Sequence, residues 1–312
     1  MRPRGDSPPA VDPQDATRDV NLLHELVDGW FDEAHRDLPW RAPDRTAWGV
    51  LVSEIMLQQT PVARVVPAWT AWMARWPEPA DLAVEAPGEA VRQWNRLGYP
   101  RRALNLHAAA VVIVDQHGGR IPEADVDLRA LPGVGEYTAA ALRAFAFGRR
   151  SVVLDTNVRR VLARLVDGAE FPPPSLNAAE RARAAELVPA DDVHAAHWSV
   201  AVMELGALVC TARAPRCAEC PVRAQCAWLR AGQPQYDGPS RRIQRFAGTD
   251  RQVRGQIMAV LRDAHGPVGR SAIEAAWPEP IQRERALDGL VADGLVEPVG
   301  EADFSLPTRR PQ

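Results

Sequence analysis

The chain has 312 residues, 46% of them hydrophobic, and a formal net charge of −3. This length suits two or three domains, and the apolar content is enough to bury their cores. The longest apolar stretch, residues 108–114, is far shorter than the ~20 residues that a membrane-spanning helix needs, and residues 1–20 show no apolar signal segment. We therefore expect a globular cytoplasmic protein with no membrane contact, in which a phosphate-bearing partner is met by local groups of arginine.

The sequence contains no lysine, so all 37 basic residues are arginine. Its four cysteines fall within one short segment, as Cys210, Cys217, Cys220 and Cys226. Such close spacing is untypical of scattered disulfides, whereas four thiolates can hold one metal site. Ligand type and spacing leave both zinc and an iron–sulfur cluster open. Arg213, Arg216 and Arg223 lie among the cysteines, where they would contact phosphates or offset the negative charge of the cluster.

Helical periodicity dominates residues 21–231, in which proline-rich connections separate about ten predicted helices. Residues 231–248 change to Gly, Pro, Gln and Arg, which predicts a linker. Beyond it, we predict three helices and a β-ribbon at 252–262, 270–276, 281–293 and 296–306, with the turn of the ribbon at Gly300 and Glu301. That order is typical of a winged-helix module, although a small helical packing domain would be equally ordinary.

A glycine-containing turn joins two segments that favour helix. Residues 131–138 read Leu-Pro-Gly-Val-Gly-Glu-Tyr-Thr. Gly133 and Gly135 permit a tight turn whose backbone N–H groups point outward at a helix N-terminus, and such a turn binds a DNA phosphate without reading sequence. Taken alone, the pattern would as often be a structural connection between helices.

Asp155 precedes another helical segment. The positive end of that helix would keep the carboxylate ionised near neutral pH. For an isolated aspartate at such a place, a plain helix cap is the commoner explanation. Asn157 has the same two interpretations.

Glu54 lies in the string Ser-Glu-Ile-Met-Leu-Gln-Gln-Thr at residues 53–60. Its neighbours are apolar, so burial would raise its pKa and keep it protonated as a general acid. A lone glutamate on a helix usually faces solvent, and the argument therefore depends on the whole string. Upstream, residues 38–41 read Leu-Pro-Trp-Arg.

These strings and the cysteine spacing resemble the helix-hairpin-helix DNA glycosylases of the endonuclease III superfamily, and most closely its adenine glycosylases of the MutY type. The similarity runs over residues 20–228 and includes Leu97-Gly98-Tyr99 and Asn105-Leu106-His107. It implies a mainly α, two-lobed fold with an iron–sulfur loop, followed by the winged-helix-like module. The expected segments are a disordered tail (1–19), a six-helix barrel (about 42–154), an iron–sulfur lobe (20–41 and 155–230), the linker (231–248), the module (249–306) and a tail (307–312).

The resemblance also implies roles for individual residues. Breaking an N-glycosidic bond requires one acid that donates a proton and one that stays negative beside a cationic sugar. By position, Glu54 would protonate adenine, Asp155 would stabilise the sugar cation, and Tyr137 and Asn157 would support that centre. Contacts with the base or the DNA are implied for Trp40, Arg41, Leu57, Gln58, Gln59, Thr60, Tyr99, Gly133 and Gly135. A 4Fe-4S cluster is implied at Cys210, Cys217, Cys220 and Cys226.

The related glycosylase/lyases use a lysine within the hairpin, where this chain has Tyr137. The resemblance thus implies a monofunctional, monomeric, nucleoid-associated enzyme that excises adenine opposite 8-oxoguanine or guanine from double-stranded DNA. Two features depart from the family. Pro100 stands where a second tyrosine is frequent, and residues 249–312 are too short and too helical for the usual Nudix-like domain that reads 8-oxoguanine.

Two alternatives remain open at this point. A mismatch thymine or uracil glycosylase of the same superfamily can carry the same glutamate, tyrosine and aspartate, although Gln58-Gln59 and Trp40-Arg41 favour adenine. A non-catalytic iron–sulfur regulator that binds DNA through its C-terminal module would not need Glu54 and Asp155.

Several arginines before and within the C-terminal module form a candidate phosphate-contacting surface, although a solvated charged helix face is the commoner explanation. They are Arg241, Arg242, Arg245, Arg251, Arg254, Arg262, Arg283 and Arg285.

Overall fold

The computed structural model describes residues 13–239 and 247–308, and for residues 13–18 only the backbone. The helices up to residue 230 are α1 (Pro13–Ala34), α2 (Ala47–Leu57), α3 (Val62–Arg75), α4 (Pro79–Ala83), α5 (Pro87–Trp94), α6 (Arg101–His117), α7 (Asp125–Ala130), α8 (Glu136–Phe145), α9 (Thr156–Leu165), α10 (Ala178–Leu187), α11 (Asp192–Leu208) and α12 (Ala227–Arg230). Two short 3-10 helices span Pro39–Arg41 and Cys217–Glu219. The mainly α fold is confirmed. No helix among the described residues is long and apolar enough to cross a membrane.

The chain divides into two compact units. We call residues 1–36 and 143–238 the cysteine unit, and residues 37–142 and 239–312 the hairpin unit. The sequence placed these boundaries at 41/42 and 154/155. The structure places the second one earlier because Arg150 already belongs to the cysteine unit, where its backbone N–H donates to Asp192 Oδ1 at 2.7 Å.

The core of the cysteine unit forms where the apolar faces of α1, α9 and α11 meet. Val27, Val161 and Leu205 are buried there. A buried ion pair ties the chain after α1 to α11, since Arg36 Nη2 lies 2.7 Å from Glu204 Oε2, and the Glu204 side chain is 0% exposed. This pair fixes the end of the N-terminal segment against a helix that lies far along the chain.

Three segments differ from the sequence-based expectation. Helix α1 begins at Pro13, inside the tail predicted at 1–19, since proline is accepted in a first helical turn; residues 1–12 lie outside the described residues. Part of the predicted linker is attached to the cysteine unit, because the backbone N–H of Tyr236 donates to Glu170 Oε2 at 2.7 Å. In the predicted tail at 307–312, the hydroxyl of Thr308 donates to Glu297 Oε2 at 3.0 Å. Residues 240–246 and 309–312 are not described.

Helix α2 is the central element of the hairpin unit, because its residues from Trp48 to Met56 are all buried. A helix that is apolar on every side is stable only inside a core. Around it pack indole rings in edge-to-face contact, with centroids 4.7 Å apart for Trp72 and Trp76 and 5.8 Å apart for Trp72 and Trp94. The sequence predicted this helix, and with it the burial of Glu54.

The C-terminal module belongs to the hairpin unit. Its elements are α13 (Asp250–Asp263), β1 (Val268–Gly269), α14 (Arg270–Ala276), α15 (Pro280–Ala292), β2 (Glu297–Val299) and β3 (Asp303–Ser305). The strands form an antiparallel sheet in the order β1-β3-β2, in which Phe304 pairs with both Val268 and Pro298. This order confirms the winged-helix-like prediction. Strand β1 was not predicted, because two residues are too few to show alternation.

The module packs against α5 and the start of α6. The backbone N–H of Gly88 donates to the carbonyl of Pro307 at 2.7 Å, and a Cβ at Gly88 would lie 2.7 Å from that oxygen, so no side chain fits there. Arg92 Nη1 donates to the carbonyl of Ala264 at 2.7 Å. Arg101 Nη1 lies 3.2 Å from Asp293 Oδ1.

Candidate active site and cysteine cluster

Glu54 lies on the buried helix α2 and is 6% exposed. Its Oε2 accepts a hydrogen bond of 2.9 Å from the hydroxyl of Tyr137, in the first turn of α8. The sequence assigned roles to both residues but did not predict that they touch. The arrangement places a carboxyl group in a largely apolar core, beside a hydroxyl that can orient it.

The predicted hairpin lies between α7 and α8, which confirms the helix-hairpin-helix motif. Gly133 has φ +81°, and a Cβ there would come within 2.9 Å of Asn105 Cβ, so this position requires glycine. Gly135 is different, since a Cβ there would meet nothing within 4 Å. The second glycine therefore leaves an open approach to the N-terminus of α8, which is where a phosphate would bind.

The predicted DNA-contacting residues in the loop after α2 differ in their exposure to solvent. Gln59 is exposed with φ +56°, and Leu57 and Gln58 are half-buried. Thr60 is buried, and its hydroxyl lies 3.4 Å from the carbonyl of Leu97. Thr60 therefore shapes the loop from inside.

The Leu-Pro-Trp-Arg string forms the first 3-10 helix. Trp40 is buried, with its ring centroid 5.8 Å from that of Trp69 at an interplanar angle of 66°. Arg41 is half-buried. Both residues belong to the hairpin unit, as Glu54 does.

Asp155 caps α9 in the cysteine unit. Its Oδ1 accepts from the backbone N–H groups of Asn157 at 2.8 Å and Val158 at 2.7 Å, and its Oδ2 accepts from Asn157 Nδ2 at 2.7 Å. Burial raises the pKa of Asp155, and these hydrogen bonds and the charge of Arg160 oppose that shift. The helix end alone predicted an easily ionised carboxylate, but burial has the larger effect.

Arg160 connects the Asp155 cap to the cysteine loop. Its Nη2 donates to Asn157 Oδ1 at 2.9 Å and to the carbonyl of Gly206 at 2.7 Å, and its Nε donates to the carbonyl of Cys210 at 2.8 Å. Gly206 allows α11 to pack closely on the start of α9, since a Cβ there would lie 2.8 Å from Asn157 Cβ. The side chain of Asn157 is thus held between Asp155 and Arg160.

Asp155→Asn removes the negative charge of this side chain and so tests how that charge affects the stability of the fold. Asparagine is an equally good helix cap, so the backbone hydrogen bonds should persist. Since the folded state binds the Asp155 proton more tightly than the unfolded chain, the charged form reduces stability as pH rises through the raised pKa. We expect a melting temperature at mildly alkaline pH equal to or above that of the parent, with a difference that shrinks in acid. Melting curves across pH check this, and a variant less stable than its parent at every pH would contradict it.

The four cysteines share one neighbourhood at the edge of the cysteine-unit core. Burial, and to a lesser extent the neighbouring cysteines, raise the pKa of Cys217 and raise that of Cys220 to about 11. Arg164, only 2% exposed, lies beside them, with Nη1 3.5 Å from Cys210 Sγ and 2.7 Å from the carbonyl of Thr211. Four thiols next to a buried guanidinium fit an anionic thiolate-bound group. As placed, no three His, Cys, Asp or Glu side chains of the described residues form a ready metal site.

Three buried arginines, Arg102, Arg160 and Arg164, were not predicted to have a role. For the last two a signal existed, because they are spaced four residues apart on α9 among the buried Val161 and Leu165. A charged side chain in an apolar stripe must have internal partners, and here these are mainly backbone carbonyls.

The expected phosphate surface of the C-terminal module is mostly not available. Arg285 Nη2 lies 2.6 Å from Asp250 Oδ1, Arg254 is paired with Asp293, and Arg283 is buried and donates to the carbonyl of Trp277. Arg241, Arg242 and Arg245 lie outside the described residues. Of the cysteine-loop arginines, Arg216 is paired with Glu219 at 3.0 Å, and Arg213 and Arg223 are exposed.

Comparison with known proteins defines the class first. Residues 52–196 match the family described as HhH-GPD superfamily base excision DNA repair protein. Among solved structures, a thermostable thymine-DNA glycosylase superposes with a TM-score of 0.62 at 26% identity, covering 69% of this chain and 99% of that one. Endonuclease III in a non-covalent DNA complex gives 0.58 at 21% identity, covering 72% and 99%, and shows the fold alone.

Sequence similarities that cover more of the chain identify the family within this superfamily. The adenine DNA glycosylase of Mycolicibacterium smegmatis is 51% identical over 279 residues, which cover 89% of this chain and 93% of that protein. That of Mycobacterium tuberculosis is 49% identical over 291 residues, covering 93% of each. The human adenine DNA glycosylase is 40% identical over 217 residues, covering 67% of this chain and 39% of that protein. The chain therefore belongs to the adenine DNA glycosylase family of the HhH-GPD superfamily.

Proposed function

We propose that the protein is a monofunctional glycosylase that hydrolyses the N-glycosidic bond of adenine mispaired with 8-oxoguanine or guanine in double-stranded DNA. The observation that carries this is the identity of about half of all aligned residues to adenine DNA glycosylases over most of the chain. The hairpin, with its exposed glycines at the start of α8, supports DNA binding through a phosphate.

In this proposal Glu54 is the general acid. It donates a proton to a ring nitrogen of adenine, so that the bonding electrons to the sugar leave on a neutral base. Tyr137 orients the carboxyl through its hydrogen bond to Oε2. Water then adds to the sugar cation and returns a proton to the carboxylate, which leaves an abasic site.

Asp155 is the negative partner, which stabilises the cationic sugar. Its hydrogen bonds from Asn157 and Val158 fix both carboxylate oxygens. A fixed charge of this kind needs no reorganisation when the cation forms, which is the source of its effect on rate. Asn157 and Arg160 act here as positioning residues.

We propose that Cys210, Cys217, Cys220 and Cys226 hold a 4Fe-4S cluster, which when bound would cross-link the loop through its four thiolates. Arg164 supplies positive charge beside Cys210, and its contacts with the carbonyls of Thr211 and Ala212 hold the loop.

The cluster proposal predicts a brown protein that absorbs broadly in the visible and contains about four irons per chain. Cys217→Ser should lower the iron content and weaken DNA binding, while the hydrogen bond between Tyr137 and Glu54 in the other unit stays in place. Metal analysis and the absorption spectrum decide the matter. A colourless protein with one zinc per chain would overturn the proposal.

Strand cleavage after base loss should be negligible unless heat or alkali is added, because the chain has no lysine to form a Schiff base. Borohydride trapping should accordingly give almost no covalent enzyme–DNA adduct. A high yield of adduct would contradict this prediction.

One incubation tests the proposed function. Purified protein is mixed with duplexes that carry adenine opposite 8-oxoguanine, adenine opposite guanine, thymine opposite guanine and uracil opposite guanine. Release of adenine alone supports the proposal. Release of thymine or uracil instead would favour a mismatch glycosylase, a candidate supported by the structural similarity to a thymine-DNA glycosylase. Release of nothing would favour a DNA-binding regulator.

We also propose that the protein acts as a cytoplasmic, nucleoid-associated monomer. One chain supplies Glu54, Asp155 and all four cysteines, so no second copy is required. The mycobacterial relatives are bacterial proteins, and their genomic DNA lies in the cytoplasm.

A further inference from the structure

The ring of Tyr99 lies within cation–π distance of two guanidinium groups. The Cζ of Arg102 is 5.1 Å from the ring centroid, and the Cζ of Arg251 is 4.8 Å from it. We call these three residues the Tyr99 cluster. A cation over an aromatic ring is attracted by its negative face, so both arginines favour one placement of the ring. Tyr99 is nonetheless 43% exposed, so the ring is held and remains accessible.

Arg102 joins the Tyr99 loop to the end of α2. It is buried, and it donates to the carbonyls of Ile55 at 3.1 Å and Gly98 at 3.0 Å, and to that of Gln58. Tyr99 has φ +49°, a left-handed conformation that is unfavourable for a tyrosine and requires support from its surroundings. The guanidinium of Arg102 supplies such support. The carbonyls of Ile55 and Gln58 that it binds lie only a few residues after Glu54 in the chain.

Arg251 lies far from Tyr99 in the sequence, in the first turn of α13 in the C-terminal module. The position of α13 is fixed by contacts already described, namely Gly88 with Pro307, Arg92 with Ala264 and Arg101 with Asp293. Its neighbour Asp250 is tied to Arg285. Packing of the C-terminal module against α5 and α6 therefore places Arg251 beside the ring.

We propose that Arg251 is a positioning residue, through which the C-terminal module fixes the ring of Tyr99, one of the residues expected to contact the DNA, for stacking on a base. The proposal rests on the proposed function. An aromatic side chain that stacks on bases contributes to binding whatever the base, and it contributes more when its placement is fixed before binding. Arg254 and Arg285 of the same module are held by its own acids, Asp293 and Asp250.

A double-mutant cycle tests the proposal. Dissociation constants are measured by fluorescence anisotropy for duplexes with a non-cleavable fluorinated adenosine analogue opposite 8-oxoguanine or guanine. The variants are Arg251→Gln, Tyr99→Leu, their combination, and Arg270→Gln as a matched control. Arg270 lies on α14 of the same module and is paired with Glu274 and Glu284.

We expect Arg251→Gln to weaken binding about fivefold, as the loss of one cation–π contact implies. The same substitution should have no effect in the Tyr99→Leu background, Arg251→Lys should restore part of the loss, and Arg270→Gln should bind like the parent. Independent losses from Arg251→Gln and Tyr99→Leu, or equal losses from Arg251→Gln and Arg270→Gln, would overturn the proposal. A melting curve of each variant shows whether the module remains folded, and Arg251→Lys keeps the test valid if Arg251→Gln does not fold.

Adenine release by the parent protein is measured separately. If the parent releases no adenine, the proposed function fails, whereas the cycle still reports whether Arg251 acts on DNA through Tyr99. If the parent is active and the two substitutions act independently, only the role of Arg251 fails.

Discussion

Glu54→Gln should slow single-turnover release of adenine by about 10²- to 10⁴-fold, because an amide cannot deliver the proton that the leaving base needs. Glutamine has nearly the same shape, and its carbonyl can still accept the hydrogen bond from Tyr137. The fold and the affinity for DNA should therefore be preserved. Excision of adenine opposite 8-oxoguanine, with the dissociation constant and a melting curve measured on the same sample, checks all three points.

Tyr137→Phe is the matched variant. It removes the hydrogen bond to Glu54 Oε2 but leaves the acid in place, so it should slow excision less than Glu54→Gln does. If Glu54→Gln excised adenine at a near-normal rate, the assignment of the acid would be wrong.

Arg36→Met should lower the free energy of unfolding of the cysteine unit by about 3–5 kcal/mol, since it takes the guanidinium away from a fully buried carboxylate. Both oxygens of Glu204 are bound by Arg36, through Nε at 2.7 Å, Nη2 at 2.7 Å and the backbone N–H at 3.0 Å. The Arg36 side chain is partly exposed, so the loss should lie toward the lower end of that range. Urea unfolding measures it.

The combination of Arg36→Met with Glu204→Leu provides the control. Replacing both partners of a buried ion pair with apolar side chains is often neutral, so the double variant should recover much of the lost stability. A double variant less stable than Arg36→Met would show that Glu204 has a further structural role.

Features that depend on neighbouring residues, such as helices, turns and helix caps, could be predicted from the sequence. The apolar run around Glu54 indicated a buried helix, and α2 is buried along nearly its whole length. The glycines of the hairpin and the cap at Asp155 also followed from residue type and position. The hydrogen bond between Tyr137 and Glu54 did not, because the fold alone brings these residues together.

Charged residues were predicted less well. The arginines of the C-terminal module were candidates for contact with DNA phosphates, but Arg285 is paired with Asp250 on another helix. Such pairing depends on how helices pack and leaves no spacing pattern in the sequence. For Asp155, the sequence predicted the helix end but could not weigh it against burial, which determines the direction of the pKa shift.

The contact between Gly88 and Pro307 bears on the order in which the chain can fold. Gly88 lies in the first turn of α5, where backbone N–H groups have no partner within the helix, and its N–H is satisfied by a carbonyl near the far end of the sequence. A ribosome makes Gly88 long before Pro307, at about 5–20 residues per second. During that interval the surface of α5 and α6 on which the module will pack is uncovered. The hairpin unit therefore reaches its final form only after residue 307 has left the ribosome, and a nascent chain stopped earlier would expose part of α5 to the cell's chaperones and proteases.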